Sequence, residues 1–153
     1  ASKSGDSLDF YEVISNKDEA AEGLSSFKHR PVYDLFDHKI IKVDQVKLED
    51  TVDAIKYGLM KIDTEGHELE VLGGSVSLLK KELIDYIQFE FGDCIKERGG
   101  NLKDILDFFS KFNYTVYAIN TVGVFKVLDE SNSDEYNKTN WDNYYAINNN
   151  IKL

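Results

Sequence analysis

The most constraining feature of this sequence is a strand-like apolar run that ends on an acid and leads into a helix-like stripe, a pattern the chain uses twice. Leu59-Met-Lys-Ile62 is short enough for a buried strand and too short for a helix, and Asp63 closes it. Leu69, Leu72, Val76, Leu79 and Leu83 then recur at steps of three and four, which predicts one helix with all five on a single stripe. A second β-rich run, Ile84 to Phe91, carries Glu90 near its end. A second amphipathic helix follows, with Asn101 as its cap, Leu102, Ile105, Leu106, Phe109 and Phe112 on one face, and Asn113 as its stop. Strand, helix, strand, helix, strand predicts an α/β fold, a parallel sheet covered by helices.

The flanks read as β structure. Leu8–Ser15 alternates and is rich in β-formers, whereas 16–37 dissolves into charge, Gly23, Ser25-Ser26 and the only proline, Pro31, an irregular excursion. Ile40, Ile41, Val43 and Val46 predict another strand, and Leu48, Val52 and Ile55 a short helix after it. Tyr114–Asn120, Gly123–Leu128 and Trp141–Ile147 predict an antiparallel finish, with a turn near Asn120 and a polar loop over Ser131–Asn140. At 153 residues the whole is expected to be a single domain, with a β-rich excursion over 1–47 and the α/β core over 48–153.

Composition excludes several classes of partner. A net charge of -10 repels phosphate backbones and anionic membrane surfaces, so neither nucleic acid nor membrane is an expected partner. No apolar run approaches the roughly 20 residues that span a bilayer. The one cysteine, Cys94, rules out an internal disulfide and suits a reducing, cytoplasmic compartment; with no base near it in sequence, a buried inert thiol is expected. The Asn-x-Thr triplets at Asn113 and Asn137 are not expected to be glycosylated.

In open α/β sheets, ligands bind beyond the carboxyl ends of the strands, which directs attention to Asp63–Glu68 and Glu90–Asp93. The first packs Asp63, Thr64, Glu65, His67 and Glu68 around Gly66. Such a set can orient a hydroxyl or take its proton, with His67 the natural base because its ordinary pKa lies near neutrality. Asp63, Glu65 and His67 can also bind a hard divalent cation, although no metal is assigned. The same residues suit a plain structural role, in which Asp63 or Thr64 caps the helix and Glu65 and Glu68 favour its positive end. His29 and His38 fit surface positions, and Trp141, Tyr144 and Tyr145 fit core or sheet face.

Met60-Lys-Ile-Asp-Thr-Glu-Gly-His-Glu-Leu-Glu-Val-Leu-Gly-Gly74 closely resembles the signature of the FkbM methyltransferase family. The likeness extends to Ser25-Ser26, Val46-Lys-Leu-Glu-Asp50, Ile87-Gln-Phe-Glu90 and Asn113-Tyr-Thr-Val-Tyr117, and so spans nearly the whole chain. It implies a Rossmann-like class I fold that uses S-adenosylmethionine to methylate a hydroxyl of a small molecule or sugar. By position it implies Asp63, Glu65, His67 and Glu90 as catalytic and Asp63 and Gly66 as cofactor-binding. The family's glycine-rich turn and ribose-binding acid have no counterpart between Ala1 and Leu153. The expectation is therefore the C-terminal portion of such a domain, a truncated sheet with weak or absent cofactor binding and an open edge that pairs with a second copy. The other expectation is a catalytically silent binding or assembly module derived from the same domain.

Overall fold

A computed structural model describes residues 7–14, 25, 37–119, 125–127 and 143–152. Two sheets form among them. β1 (Ser7–Val13) and β2 (His38–Asp44) make a two-stranded antiparallel sheet in which Phe10 faces Ile41 and Val13 faces His38. Cross-strand ion pairs Lys39–Glu12 at 2.9 Å and Lys42–Asp9 at 2.6 Å flank it, and Ser25 accepts from the Val13 amide at 3.1 Å. Apart from Ser25 and Asp37, the expected 16–37 excursion, including His29 and Pro31, lies outside the described residues, as do Asn120, Ser131–Asn140, Asn137 and Trp141.

The main sheet contains β3 (Tyr57–Ile62), β4 (Ile84–Glu90), β5 (Tyr114–Ile119), β6 (Phe125–Val127) and β7 (Asn143–Asn148), in the order β3-β4-β7-β5-β6. β3 and β4 are parallel, and β7 is antiparallel to both β4 and β5. β4 and β5 therefore point the same way with the last strand inserted between them. The sheet is mixed, with the expected parallel pair and antiparallel β5, β6 and β7, and it is compatible with a methyltransferase-like fold.

One sheet face is dry. In-register neighbours Phe89 and Tyr144, and Ile87, Ala146 and Val116, run across it as buried residues. Helix α4 (Leu102–Phe109) lies over this face, with Phe109 5.6 Å from Phe89 and 5.9 Å from Tyr114 between ring centroids, and Tyr144 stacks on Phe89. Asn101 accepts from the Asp104 amide at 3.0 Å while Asp104 returns a bond to the Asn101 amide, so the expected cap is a reciprocal box. A 3-10 turn, Ser110–Phe112, ends in the left-handed region at Asn113, whose side chain donates to Glu82 at 3.0 Å.

Two expectations need correction. The single helix over Leu69–Leu83 is two short ones, α1 (Glu68–Gly73) and α2 (Val76–Lys80). Between them the Gly74 carbonyl accepts from the Glu49 amide at 3.2 Å, while the Glu49 carboxylate accepts from the Ser77 amide at 2.7 Å. The Ser77 amide has a single N–H, and giving it to Glu49 takes it from the helix, so the ladder breaks there. The expected helix over Leu48–Ile55 is only a 3-10 turn, Leu48–Asp50. Thr51 bonds back to the Leu48 carbonyl through its hydroxyl, and the β-branched pair Thr51-Val52 followed by Asp53 does not extend it. One helix, α3 (Asp93–Glu97), was not foreseen. No helix among the described residues is long and apolar enough to cross a membrane.

Candidate functional site

Because β3 and β4 are parallel with Ile62 opposite Phe89, Asp63, just past β3, and Glu90, the last residue of β4, come side by side at the carboxyl end of the sheet. The chain then turns sharply. Glu65 has φ 52° and Gly66 φ 99°, the left-handed region that suits glycine. A Cβ on Gly66 would stand 3.0 Å from the Cys94 carbonyl oxygen, so the turn is seated directly on α3. Arg98 fixes it from that side, donating to the Gly66 carbonyl through one nitrogen and to Glu70 at 2.8 Å through the other.

Glu68 holds the turn from within. Its side chain is 2% exposed, and Oε1 accepts from the Thr64 amide and hydroxyl, both at 3.1 Å, and from the Gly66 amide at 3.3 Å. The expected cap is thereby corrected. His67 occupies the N-cap position and makes no side-chain cap bond, and neither Asp63 nor Thr64 caps α1. The first-turn glutamate reaches back instead. Its second oxygen, Oε2, is buried without a hydrogen-bond partner among the described residues.

The other motif residues divide between two environments. Asp63 points outward and pairs with Lys61 at 2.9 Å, a bond that raises the lysine pKa. His67 is half-buried; desolvation first, then the Arg98 guanidinium, lowers its pKa, with Glu70 and the Thr64 backbone opposing. It is therefore a neutral imidazole at pH 7. Glu65 turns toward α3, where its Oε2 accepts from the Cys94 thiol at 3.1 Å. Cys94 is half-buried, where a buried thiol was expected, and its thiol is hydrogen-bonded.

Glu65, Glu68, Glu90, Asp93, Cys94 and Ile95 line a cavity of about 30 Å³ between the turn, the end of β4 and α3. Asp63 and His67 are not among its lining residues. Glu65 and Glu90 are thus brought together, and Glu68, Asp93 and Cys94 join them. The involvement of Cys94 and Arg98 had no local signal, because their partners lie 29 and 32 residues away. No group of three His, Cys, Asp or Glu side chains able to hold a metal ion occurs among the described residues, so Asp63, Glu65 and His67 do not converge on a cation.

Elsewhere, His38 sits on β2 with its ring 6.1 Å from that of Tyr11, and Tyr144 is core. A second, apolar hollow of about 170 Å³ opens beside β3, lined by Leu48, Val52, Leu59, Met60 and Leu78 among others. Neither space approaches the roughly 300–1,000 Å³ that encloses a drug-sized ligand. These cavities do not fit a whole nucleoside cofactor, although the anionic strand ends suit polar groups at the mouth of a larger site.

No curated protein and no solved structure matches the chain. The methyltransferase FkbM domain matches residues 3–116, a span that runs from ahead of β1 into β5 and includes the turn, Glu90 and α3. With a match over most of its length and the signature turn at the carboxyl end of two parallel strands, the chain belongs to the FkbM methyltransferase family.

Proposed function

We propose that this chain serves methyl transfer from S-adenosylmethionine to a hydroxyl oxygen of a small molecule or sugar, with the acceptor at the carboxyl ends of β3 and β4. The observation that carries this reading is the register of those strands, which sets Asp63 and the Glu65–Glu68 turn beside Glu90. Carboxylates at that mouth hold an acceptor hydroxyl by accepting its hydrogen bond, and Glu65 and Glu90 border the common cavity. His67, kept neutral by its burial and by Arg98, is the candidate base on the α1 side, and the family resemblance gives Asp63 and Gly66 the cofactor-facing role. No step is assigned to the cofactor, since the cavities between described residues are smaller than it. A reducing, cytoplasmic setting agrees with the lone thiol at Cys94.

We also propose pairing between two copies. Among the described residues β3 bonds to β4 alone, and Leu59 is 56% exposed on that outer strand beside the apolar hollow. Open edges with apolar side chains favour addition of another strand.

Transfer of labelled methyl groups from S-adenosylmethionine to a panel of sugars and polyols tests the enzymatic reading. Glu90→Gln and Glu65→Gln are expected to lower incorporation by about 100-fold, the scale of losing a positioned proton acceptor. Incorporation unchanged in both variants would overturn the assignment of these residues.

A further inference from the structure

β1 and β2 form a ribbon whose outer edge on β2 is open. The Ile14 amide donates to the Asp37 carbonyl at 2.7 Å one step beyond the β1–β2 register, which makes those two residues a hydrogen-bonded pair. In an antiparallel ladder such pairs alternate with pairs that exchange no bond. Lys39, Ile41 and Val43 therefore direct their backbone groups to β1, while Ile40, Lys42 and Asp44 turn theirs outward. The same parity turns the Val13 amide away from β2, and Ser25 accepts it at 3.1 Å on the β1 side. Among the described residues β2 pairs with β1 alone.

This open edge is apolar and close to neutral. Ile40 is 55% and Ile41 37% exposed, on opposite faces of the ribbon. A two-stranded sheet is marginal by itself and gains from a further strand. Beside His38, β2 carries Lys39, Lys42 and Asp44, and both lysines are matched within the ribbon, to Glu12 at 2.9 Å and to Asp9 at 2.6 Å. In a chain of net charge -10, whose copies repel one another, this is a stretch where two copies can meet without anions facing.

We infer that the β2 edge is a contact between two copies of this chain, paired antiparallel about a two-fold axis at Ile41 into one four-stranded sheet, β1-β2-β2-β1. Such an axis keeps each face of the sheet continuous, so every residue meets one of its own parity. The register centred on Ile41 is the one that pairs all seven residues of β2. Ile40 of one copy and Lys42 of the other then exchange bonds through their outward backbone groups, as do Asp44 and His38. Ile41 meets its counterpart at a non-hydrogen-bonded position, where side chains come closest. The stems of Lys39 and Lys42 lie across Val43 and Ile40 while Glu12 and Asp9 keep their ammonium groups. A register centred on Lys42 would instead set two lysines face to face. Seven residues per copy make a small contact beside the roughly 1,200–2,000 Å² of a standard interface, so the pairing is concentration-dependent. It uses a different edge from the β3 contact proposed above and does not depend on methyl transfer.

Cysteine cross-linking and amide exchange test it. Across a non-hydrogen-bonded pair the Cα atoms stand about 4.5 Å apart, within the roughly 4.4–6.8 Å that a disulfide spans, whereas the two copies of Ile40 are offset to roughly 8 Å. In a Cys94→Ser background, Ile41→Cys is expected to oxidise to a dimer of twice the mass, and Ile40→Cys, at the more exposed position, to stay monomeric. In the parent chain the Ile40 and Lys42 amides should exchange about 10-fold more slowly once about nine-tenths of the chains are paired, because exchange then runs through the free tenth. That measurement stands whether or not the cysteine variants fold. The Gly58 and Met60 amides report on the other edge, since Tyr57 donates to Leu83 at 2.7 Å on the β4 side and its neighbours in alternation point away. No dimer from Ile41→Cys, equal cross-linking of both variants, or Ile40 and Lys42 exchange that ignores concentration would overturn the inference. Protection confined to Gly58 and Met60 would place the contact at β3 and overturn it as well.

Discussion

Gly66→Ala puts the geometry of the signature turn to a quantitative test. At φ 99° an L-residue is strained, at about 1–2 kcal/mol, and the added methyl would meet the Cys94 carbonyl oxygen at 3.0 Å and carbon at 3.1 Å. Those neighbours are helix backbone, which moves only by shifting α3, and overpacking of this kind costs about 1–3 kcal/mol. Lower entropy of the unfolded chain returns about 0.4–1 kcal/mol. The net expectation is a loss of about 1–4.6 kcal/mol, centred near 3, a large share of the roughly 5–15 kcal/mol typical of a domain. Urea denaturation followed by circular dichroism measures it, as a lower midpoint at unchanged slope. Gly73→Ala is the internal control. Nothing lies within 4 Å of its added Cβ, its φ is not positive, and it ends α1, so it should be neutral or stabilising by up to about 1 kcal/mol. A Gly66→Ala protein within about 0.5 kcal/mol of the parent would refute the argument that this turn is seated on α3.

Three further outcomes are expected. Asn101→Ala removes the capping box of α4 and should cost about 1 kcal/mol in denaturation, with Asn101→Ser recovering most of it. His67 has a folded pKa below its ordinary 6.5, so on acidification through that range the unfolded chain takes up a proton that the folded one resists. Stability should fall as pH drops from about 6.5 toward the folded pKa. That slope should vanish in His67→Gln, and an imidazole titrating at or above 6.5 by NMR would contradict the burial assigned to it. Leu59→Lys on the open edge of β3 should shift sedimentation equilibrium toward monomer, and a parent chain that is monomeric throughout the concentration range would dispose of edge pairing.

What the sequence reveals of this molecule follows the range of each interaction. β3, β4 and α4 are legible because apolar period and a polar cap are local properties; Leu102, Ile105 and Phe109 share the buried face that their spacing predicts. The split between α1 and α2 is not, because it depends on Ser77 giving its amide to Glu49, 28 residues upstream. The insertion of β7 between β4 and β5 is equally hidden, since alternation marks a strand but not its neighbours. At the site, the cluster around Gly66 was visible, yet its internal division was not. Glu68 reads as a solvated helix-start acid and is in fact the buried clasp of the turn. Asp63, the more conspicuous acid, faces solvent with Lys61.

The central position of β7 also governs when this protein can become itself. Among the described residues Asn143–Asn148 is the strand that joins the half of the sheet carrying the motif turn to the half formed by β5 and β6. During synthesis the motif emerges first and must wait for this late strand with Phe89 and Val116 still uncovered by Tyr144 and Ala146. Loss of Asn143–Asn148 would then act as a cut through the middle of the sheet, not as a trim at its margin.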